Sequence, residues 1–162
     1  WADRVGRNPS YFKGPTTLPV ESVSWDDARA YCAAHGMRLP TEAEWEYACR
    51  AGTTTPRYGD VDAIAWNAVN SGGMTHAVGG KLANPWGFHD MLGNVWEWTF
   101  DRYGDYADIA ARDPKGATSG SYRVQRGCYW GYGHDTLRAS NRGMYGPAGR
   151  FGNIGFRVAR TP

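Results

Sequence analysis

The side chains of this sequence that could do covalent or metal chemistry are few and scattered. Its cysteines are Cys32, Cys49 and Cys128, and its histidines are His35, His76, His89 and His134. Neither set has metal-ligand spacing, and no H-E-x-x-H run, G-x-S-x-G turn or phosphate loop occurs. Three thiols cannot all pair within one chain, so buried free cysteines are expected. Cys128 follows Arg126-Gly127, which offers a thiolate some positive charge; an inert, partly buried cysteine is the competing reading. Asp90 and Glu97 lie on either side of Gly93. Two carboxylates around a turn with free carbonyls can wrap Ca²⁺, which takes six to eight oxygens at about 2.3–2.6 Å. A buried salt bridge from Glu97 to an arginine explains the same residue without an ion.

Residues 126–157 are the most informative stretch. They contain eight Gly, six aromatic residues and five Arg, against one acid, Asp135, and no Lys. Aromatic residues interleaved with Gly, Ser and Asn give rigid contact area at low ordering cost, the composition of adaptable recognition loops. A general base in this stretch would have to be His134 or Asp135. Trp130 and Phe156 read as core. Tyr129, Tyr132, Tyr145 and Phe151, set among glycines with no apolar period, read as facing outward.

The elements that must position these residues are short. Ser24 with Asp27 forms an N-terminal cap for a helix of about 11 residues that carries Ala28, Tyr31 and Cys32 on one face and stops at Gly36. Thr41 with Glu44 caps a second, with Trp45, Ala48 and Cys49 inward and Gly52 at its end. Turn signals then fill Thr53 to Gly87, and a loop of that length has to be tied down by function or by a bound ion. Strands are expected at Gly93–Thr99, with Trp96 and Trp98 on one face, at Tyr122–Arg126 and at Ile154–Ala159. With no repeat and no linker, residues 1–162 form one domain.

Composition bounds the function classes. The 162 residues carry 18 basic and 16 acidic side chains, net +2, with 41% hydrophobic residues. That excludes a disordered chain and gives no basis for nucleic-acid binding, which wants a net basic face. No run reaches the roughly 20 apolar residues of a membrane span. Fifteen of the cations are Arg, the residue of planar, rigid ion pairs. The opening Trp1-Ala2-Asp3-Arg4 has no apolar signal region and no Met, so a processed or cropped start is expected.

Four ordered blocks carry a resemblance over nearly the whole chain: Val20-Glu21-Ser22-Val23-Ser24-Trp25, Arg38-Leu39-Pro40-Thr41-Glu42-Ala43-Glu44-Trp45-Glu46, Gly93-Asn94-Val95-Trp96-Glu97-Trp98 and Gly155-Phe156-Arg157. They resemble the formylglycine-generating enzyme family, also called the sulfatase-modifying factor family. The resemblance implies an α+β chain with a C-type lectin-like fold: two short helices, small twisted antiparallel sheets and long loops. It implies that family members carry some tens of residues before the equivalent of Asn8-Pro9-Ser10, so the chain is expected to be either minimal or missing part of the family domain there. It also implies one structural Ca²⁺, held by the side chains of Asp90 and Glu97 and the carbonyls of Gly93 and Val95.

The family's enzymes oxidise a substrate cysteine using copper held by two cysteines after a Gly-Gly-Ser-Trp-like motif. Read onto Gly127-Cys128-Tyr129-Trp130, those positions are Tyr132 and Leu137, so no copper and no catalysis are expected. Related iron-dependent sulfoxide synthases need a further helical domain for their histidines. A third branch is the variable proteins of diversity-generating retroelements, in which asparagine codons are rewritten at adenines. AAC then becomes NNC, which never encodes Trp, Met, Lys, Gln or Glu. Cys128, Tyr129, Gly131, Tyr132, Gly133, His134, Asp135, Thr136, Gly143, Tyr145, Gly146, Ala148, Gly149, Phe151 and Gly152 all satisfy that rule, while Trp130, Leu137, Arg138, Asn141, Arg142, Pro147, Arg150 and Ile154 to Arg157 persist as framework. Met144 does not fit and is assigned to the framework. The expectation is a non-catalytic, monomeric ligand-binding protein, cytoplasmic or displayed on a phage or cell surface, with a variable segment at 128–152 and a protein ligand rather than a glycan. The alternative is a family member with catalytic or other activity.

Overall fold

A computed structural model describes residues 7–106 and 111–161; the opening Trp1-Ala2-Asp3-Arg4 lies outside the described residues. Helix α1 (Trp25–Ala34) is held by the expected reciprocal cap, the Ser24 hydroxyl accepting from Asp27 N at 3.1 Å and the Asp27 carboxylate from Ser24 N at 2.9 Å. Helix α2 (Glu42–Arg50) repeats the device with Thr41 and Glu44. Both end in left-handed residues, Gly36 after α1 and Ala51-Gly52 after α2. Within the stretch read as loop lies a third helix, α3 (Val61–Ile64), capped by Asp60. Four residues are too few to show a period, so only the cap could have revealed it.

That long loop is tied down by asparagine side chains. Asn84 donates to the carbonyls of Ala48 and Cys49 at the end of α2 and accepts from Trp86 N and Phe88 N. Asn94 grips both backbone groups of His76, at 3.1 and 3.0 Å, and the buried Asn67 donates to Asp62. Each amide supplies the donor and acceptor pair that a turn leaves unmatched. Gly93 must be glycine here: its φ is +78°, and a Cβ would come within 2.2 Å of the Trp66 carbonyl oxygen.

Strands β1 (Trp96–Arg102), β2 (Arg123–Arg126), β3 (Arg142–Tyr145) and β4 (Ile154–Phe156) form one sheet in the order β3-β2-β1-β4. The pairs β1–β2 and β2–β3 are antiparallel, but β4 runs parallel to β1, so the sheet is mixed. Residue types in a three-residue strand do not set its direction; the connection does. Strand β3 arises inside the stretch read as a recognition loop. β1 is covered on both faces, Val95 to Thr99 all being buried, which is why its sequence does not alternate.

Three tryptophans fasten the layers by indole N–H groups that find acceptors in the core: Trp25 to Thr99 O at 2.7 Å, Trp98 to Val23 O at 3.0 Å, and Trp45 to the Glu97 carboxylate at 2.6 Å. Leu137 and Ile154 are core as expected, whereas Trp130 and Phe156 are only half-buried.

Helix α2 meets the sheet through a buried ionic cluster. The wholly buried Arg126 donates to Glu42, Glu46 and the carbonyls of Ala139 and Ser140. Arg142 pairs bidentately with Glu42 at 2.6 and 2.9 Å. Asp101 accepts from Glu42 N at 2.7 Å, and burial pushes its carboxyl up to about 6 from 3.8. Because folding raises this pKa, the stability it contributes is present below about pH 4 and is lost as pH rises through about 6. Removing the charge by Asp101→Asn is therefore expected to make the variant gain on the parent between those values and run level above. Denaturant unfolding across that range would refute the raised carboxyl if the difference did not vary with pH.

Candidate functional site

Beyond β2 the chain turns through Gly127 and Cys128, both at positive φ, passes a 3₁₀ turn at His134–Thr136, forms β3 at the sheet edge and returns through 146–153 to β4. This path folds part of the expected variable segment onto one face. A concavity of about 310 Å³ is lined by Trp96, Gln125, Tyr129, Tyr132, Gly143, Met144, Tyr145, Phe151, Asn153 and Ile154. Tyr145 and Phe151 meet edge to face at 4.7 Å, and Tyr129 and Tyr132 do the same, Tyr132 standing perpendicular to Trp96. Tyr145 and Phe151 are 46% and 40% exposed. Tyr129 and Tyr132 are half-buried with their rings packed on the core, so they face outward only in part.

Five lining residues lie outside the expected site: the core residues Trp96 and Ile154, and Gln125, Met144 and Asn153. Met144 was assigned to the framework, yet it is 49% exposed at the rim. Gln125 is brought there by its pairing with Gly143, and Asn153 by the return into β4. No local signal marks either one, because strand register puts them there.

Other expected site residues lie elsewhere. Gly133 leads into the 3₁₀ turn of His134, Asp135 and Thr136, which meets α3 through His134: its Nε2 is 3.0 Å from an Asp62 carboxylate oxygen, and Arg57 donates to the carbonyls of His134 and Leu137. Gly131 lies under the Tyr129 ring, Gly149 beside Tyr145 and Phe151, and Gly152 beside Tyr11. Gly146 accepts the Gly149 N–H in the turn that also holds the exposed Ala148.

Cys128 does not belong to the surface. It is wholly buried at φ +66°, donates to Thr136 O and accepts from Asn141 Nδ2 at 3.0 Å. Its left-handed backbone puts the side chain inward, which the codon rule cannot register. Burial pushes its thiol up to about 11, as it does for Cys32, and pushes Cys49 to about 12. All three are neutral thiols near pH 7 and poor nucleophiles. Tyr132 is packed against Tyr129, and Leu137 is wholly buried, so neither position fits a copper ligand.

The residues expected around calcium fit poorly too. Arg157 takes both oxygens of Glu97, at 2.5 and 2.6 Å, and the Trp45 indole takes one of them again. This is the arginine salt bridge that competes with an ion for Glu97. What remains among the expected side-chain ligands is Asp90 Oδ1, buried without a hydrogen-bond partner. That is short of the six to eight oxygens Ca²⁺ takes. Among the described residues, no group of three or more His, Cys, Asp or Glu side chains could hold a metal. Nor is any described helix long and apolar enough to cross a membrane.

The whole chain, residues 1–162, matches the family model of the sulfatase-modifying factor enzyme 1-like domain. It is similar to serine/threonine-protein kinase pkn1 of Chlamydia caviae, 40% identical over 159 residues that cover 94% of this chain and 25% of that protein. Mouse formylglycine-generating enzyme is 35% identical over 188 residues, covering 98% of this chain and 50% of the enzyme. The chain thus spans a quarter to a half of the length of these relatives. Among solved structures, Treponema denticola variable protein 1 matches with a TM-score of 0.95 and 30% identity, covering 100% of this chain and 80% of that one.

With Glu97 neutralised by Arg157, calorimetric titration of the chelator-treated protein with calcium is expected to give no saturable heat, and chelation to leave the melting temperature unchanged. Saturable binding that Asp90→Asn abolishes would restore the ion.

Proposed function

The chain belongs to the sulfatase-modifying factor family, and from that membership we propose that it is a ligand-binding protein whose surface at 129–152 is rewritten in the manner of diversity-generating retroelement variable proteins. The carrying observation is a contrast between two sets of glycines. Gly131, Gly133, Gly143, Gly146, Gly149 and Gly152, all at positions the codon rule admits, lack a positive φ, and a Cβ on any of them meets only side chains or open space. The glycines in the family blocks and at the root of the segment are locked. Gly93 and Gly127 have φ of +78° and +93°, and a Cβ on Gly155 would come within 2.4 Å of the Val20 carbonyl oxygen. Rewriting thus meets only side chains where the sequence pattern places it, at the cost of turning the Tyr129 ring for residue 131 and the Tyr145 ring for residue 149, whereas backbone opposes it just outside.

The proposed ligand is a protein, bound by a monomer. The concavity is walled by aromatic rings and Met144, with Gln125, Asn153 and the hydroxyls of Tyr129, Tyr132 and Tyr145 as its polar groups and no carboxylate. That mixture of Tyr, Phe and Met with a few amides and hydroxyls is the composition of protein-recognition surfaces, and it supports a protein partner.

The similarity to mouse formylglycine-generating enzyme favours a second reading, oxidation of a substrate cysteine. Against it stand Tyr132 and the buried Leu137 at the copper positions and three neutral, buried thiols.

A library randomised at Gly133, Tyr145, Gly146 and Phe151 is expected to fold in most of its members. Tyr145→Ala and Phe151→Ala should each change stability by no more than about 0.5 kcal/mol. Leu137→Ala should cost about 2–5 kcal/mol, and Gly155→Ala should not fold. Thermal melts of displayed variants measure this, and a library that mostly fails to fold would remove the physical basis of the proposal. Diversification itself is read from neighbouring DNA: a reverse transcriptase gene beside a near-copy of the segment coding for 126–157, differing at adenines, is expected. Incubation with Cu⁺, oxygen and a cysteine-containing sulfatase peptide should give no formylglycine by mass spectrometry; its formation would establish the second reading instead.

A further inference from the structure

Tyr11 is 74% exposed, far from the variable segment in sequence, and its backbone is held more firmly than an idle surface loop requires. Glu21 is wholly buried, yet its carboxylate is committed to local hydrogen bonds: one oxygen accepts from Tyr11 N at 2.9 Å and Ser22 Oγ at 2.7 Å, the other from Phe12 N at 2.8 Å. Ser10 Oγ accepts the Glu21 N–H in return. A charged acceptor on two consecutive amides fixes the direction in which both rings leave the backbone.

The rings so presented continue the aromatic surface. Phe12 stands edge to face on Trp130 at 5.9 Å, Trp130 on Tyr129 at 5.2 Å, Tyr129 on Tyr132 at 4.7 Å and Tyr132 on Trp96 at 5.8 Å. Tyr11 closes the string on Phe12 at 5.0 Å. A second link joins the same places: Ser22 N donates to Phe151 O at 3.0 Å, and a Cβ on Gly152 would stand 3.2 Å from the Tyr11 Cβ. Tyr11 thus touches the variable segment from outside it.

We infer that Tyr11 is a constant anchor of the binding face, contacting a protein ligand beside whatever residues are written at 145, 151 and 152. The inference rests on the diversified-surface reading above. A pre-ordered, exposed tyrosine gives contact area without an ordering cost at binding, the property of hot-spot residues. Residue 152 then acts partly through Tyr11, since any side chain there shifts the ring by a few tenths of an ångström.

The test uses peptides selected on the unaltered protein from a phage-displayed random dodecapeptide library, then synthesised and titrated calorimetrically. Tyr11→Ala is expected to leave the melting temperature unchanged and to weaken, roughly tenfold, the same peptides that Tyr145→Ala weakens; Tyr11→Phe should retain most of the affinity. Peptides weakened by Tyr145→Ala but indifferent to Tyr11→Ala would overturn the anchor and leave the surface reading standing. Loss with Tyr11→Ala alone would place Tyr11 on a separate surface and overturn the inference. Indifference to both, or a library yielding no binder, would overturn the surface reading together with the anchor.

Discussion

Everything in the C-terminal half hangs on three arginines and the buried carboxylates they meet. Arg126 enters the segment on Glu42 and Glu46, Arg142 holds its middle on Glu42, and Arg157 closes it on Glu97. The acids belong to α2 and β1, the oldest-looking parts of the architecture in the sense that local capping and tryptophan N–H bonds fix them independently. Removing one partner of such a pair strands a buried charge, at a cost of about 3–5 kcal/mol. The arginines therefore act as rivets at 126, 142 and 157; together with the buried Cys128, Leu137, Ala139 and Ile154 they hold the chain in place, and the exposed residues between them need contribute little. Guanidinium suits the task, since its planar fork satisfies a carboxylate and neighbouring carbonyls together.

Much of the framework could be read from the sequence because its signals are local. A Ser or Thr with an acid three residues on fixes a helix start by itself, and Gly36 and Gly52 mark the ends. What escaped depends on distant partners. Strand β3 exists because Arg142 to Tyr145 find β2, and β4 runs parallel because its connection demands it. The asparagines of the long loop looked like turn formers; their reach to Ala48, Cys49 and His76 needed the fold.

The site was legible in the same proportion. Residue types identified Tyr129, Tyr132, Tyr145 and Phe151, and the structure gathers all four with Gly143 around one concavity. Cys128 passed the codon rule and is buried, because a rule about codons carries no information about φ. Met144 failed the rule and is exposed, because strand register and not codon type brings it to the rim. Glu97 had two readings, ion ligand and salt bridge, that no spacing separates; the guanidinium of Arg157 sits where only geometry can place it.

Strand β3 sits at the border of the sheet, and a border strand is an open template for a neighbouring molecule's backbone. Under the proposed diversification, random rewriting at 143 and 145 would from time to time create a sticky, β-prone ribbon there, and NNC codons cannot supply lysine or glutamate as guards. Brevity does the guarding instead. At four residues, headed by an arginine already engaged with Glu42, the border is too short to recruit another chain into a growing stack. A border that short leaves little template on which fibres could grow.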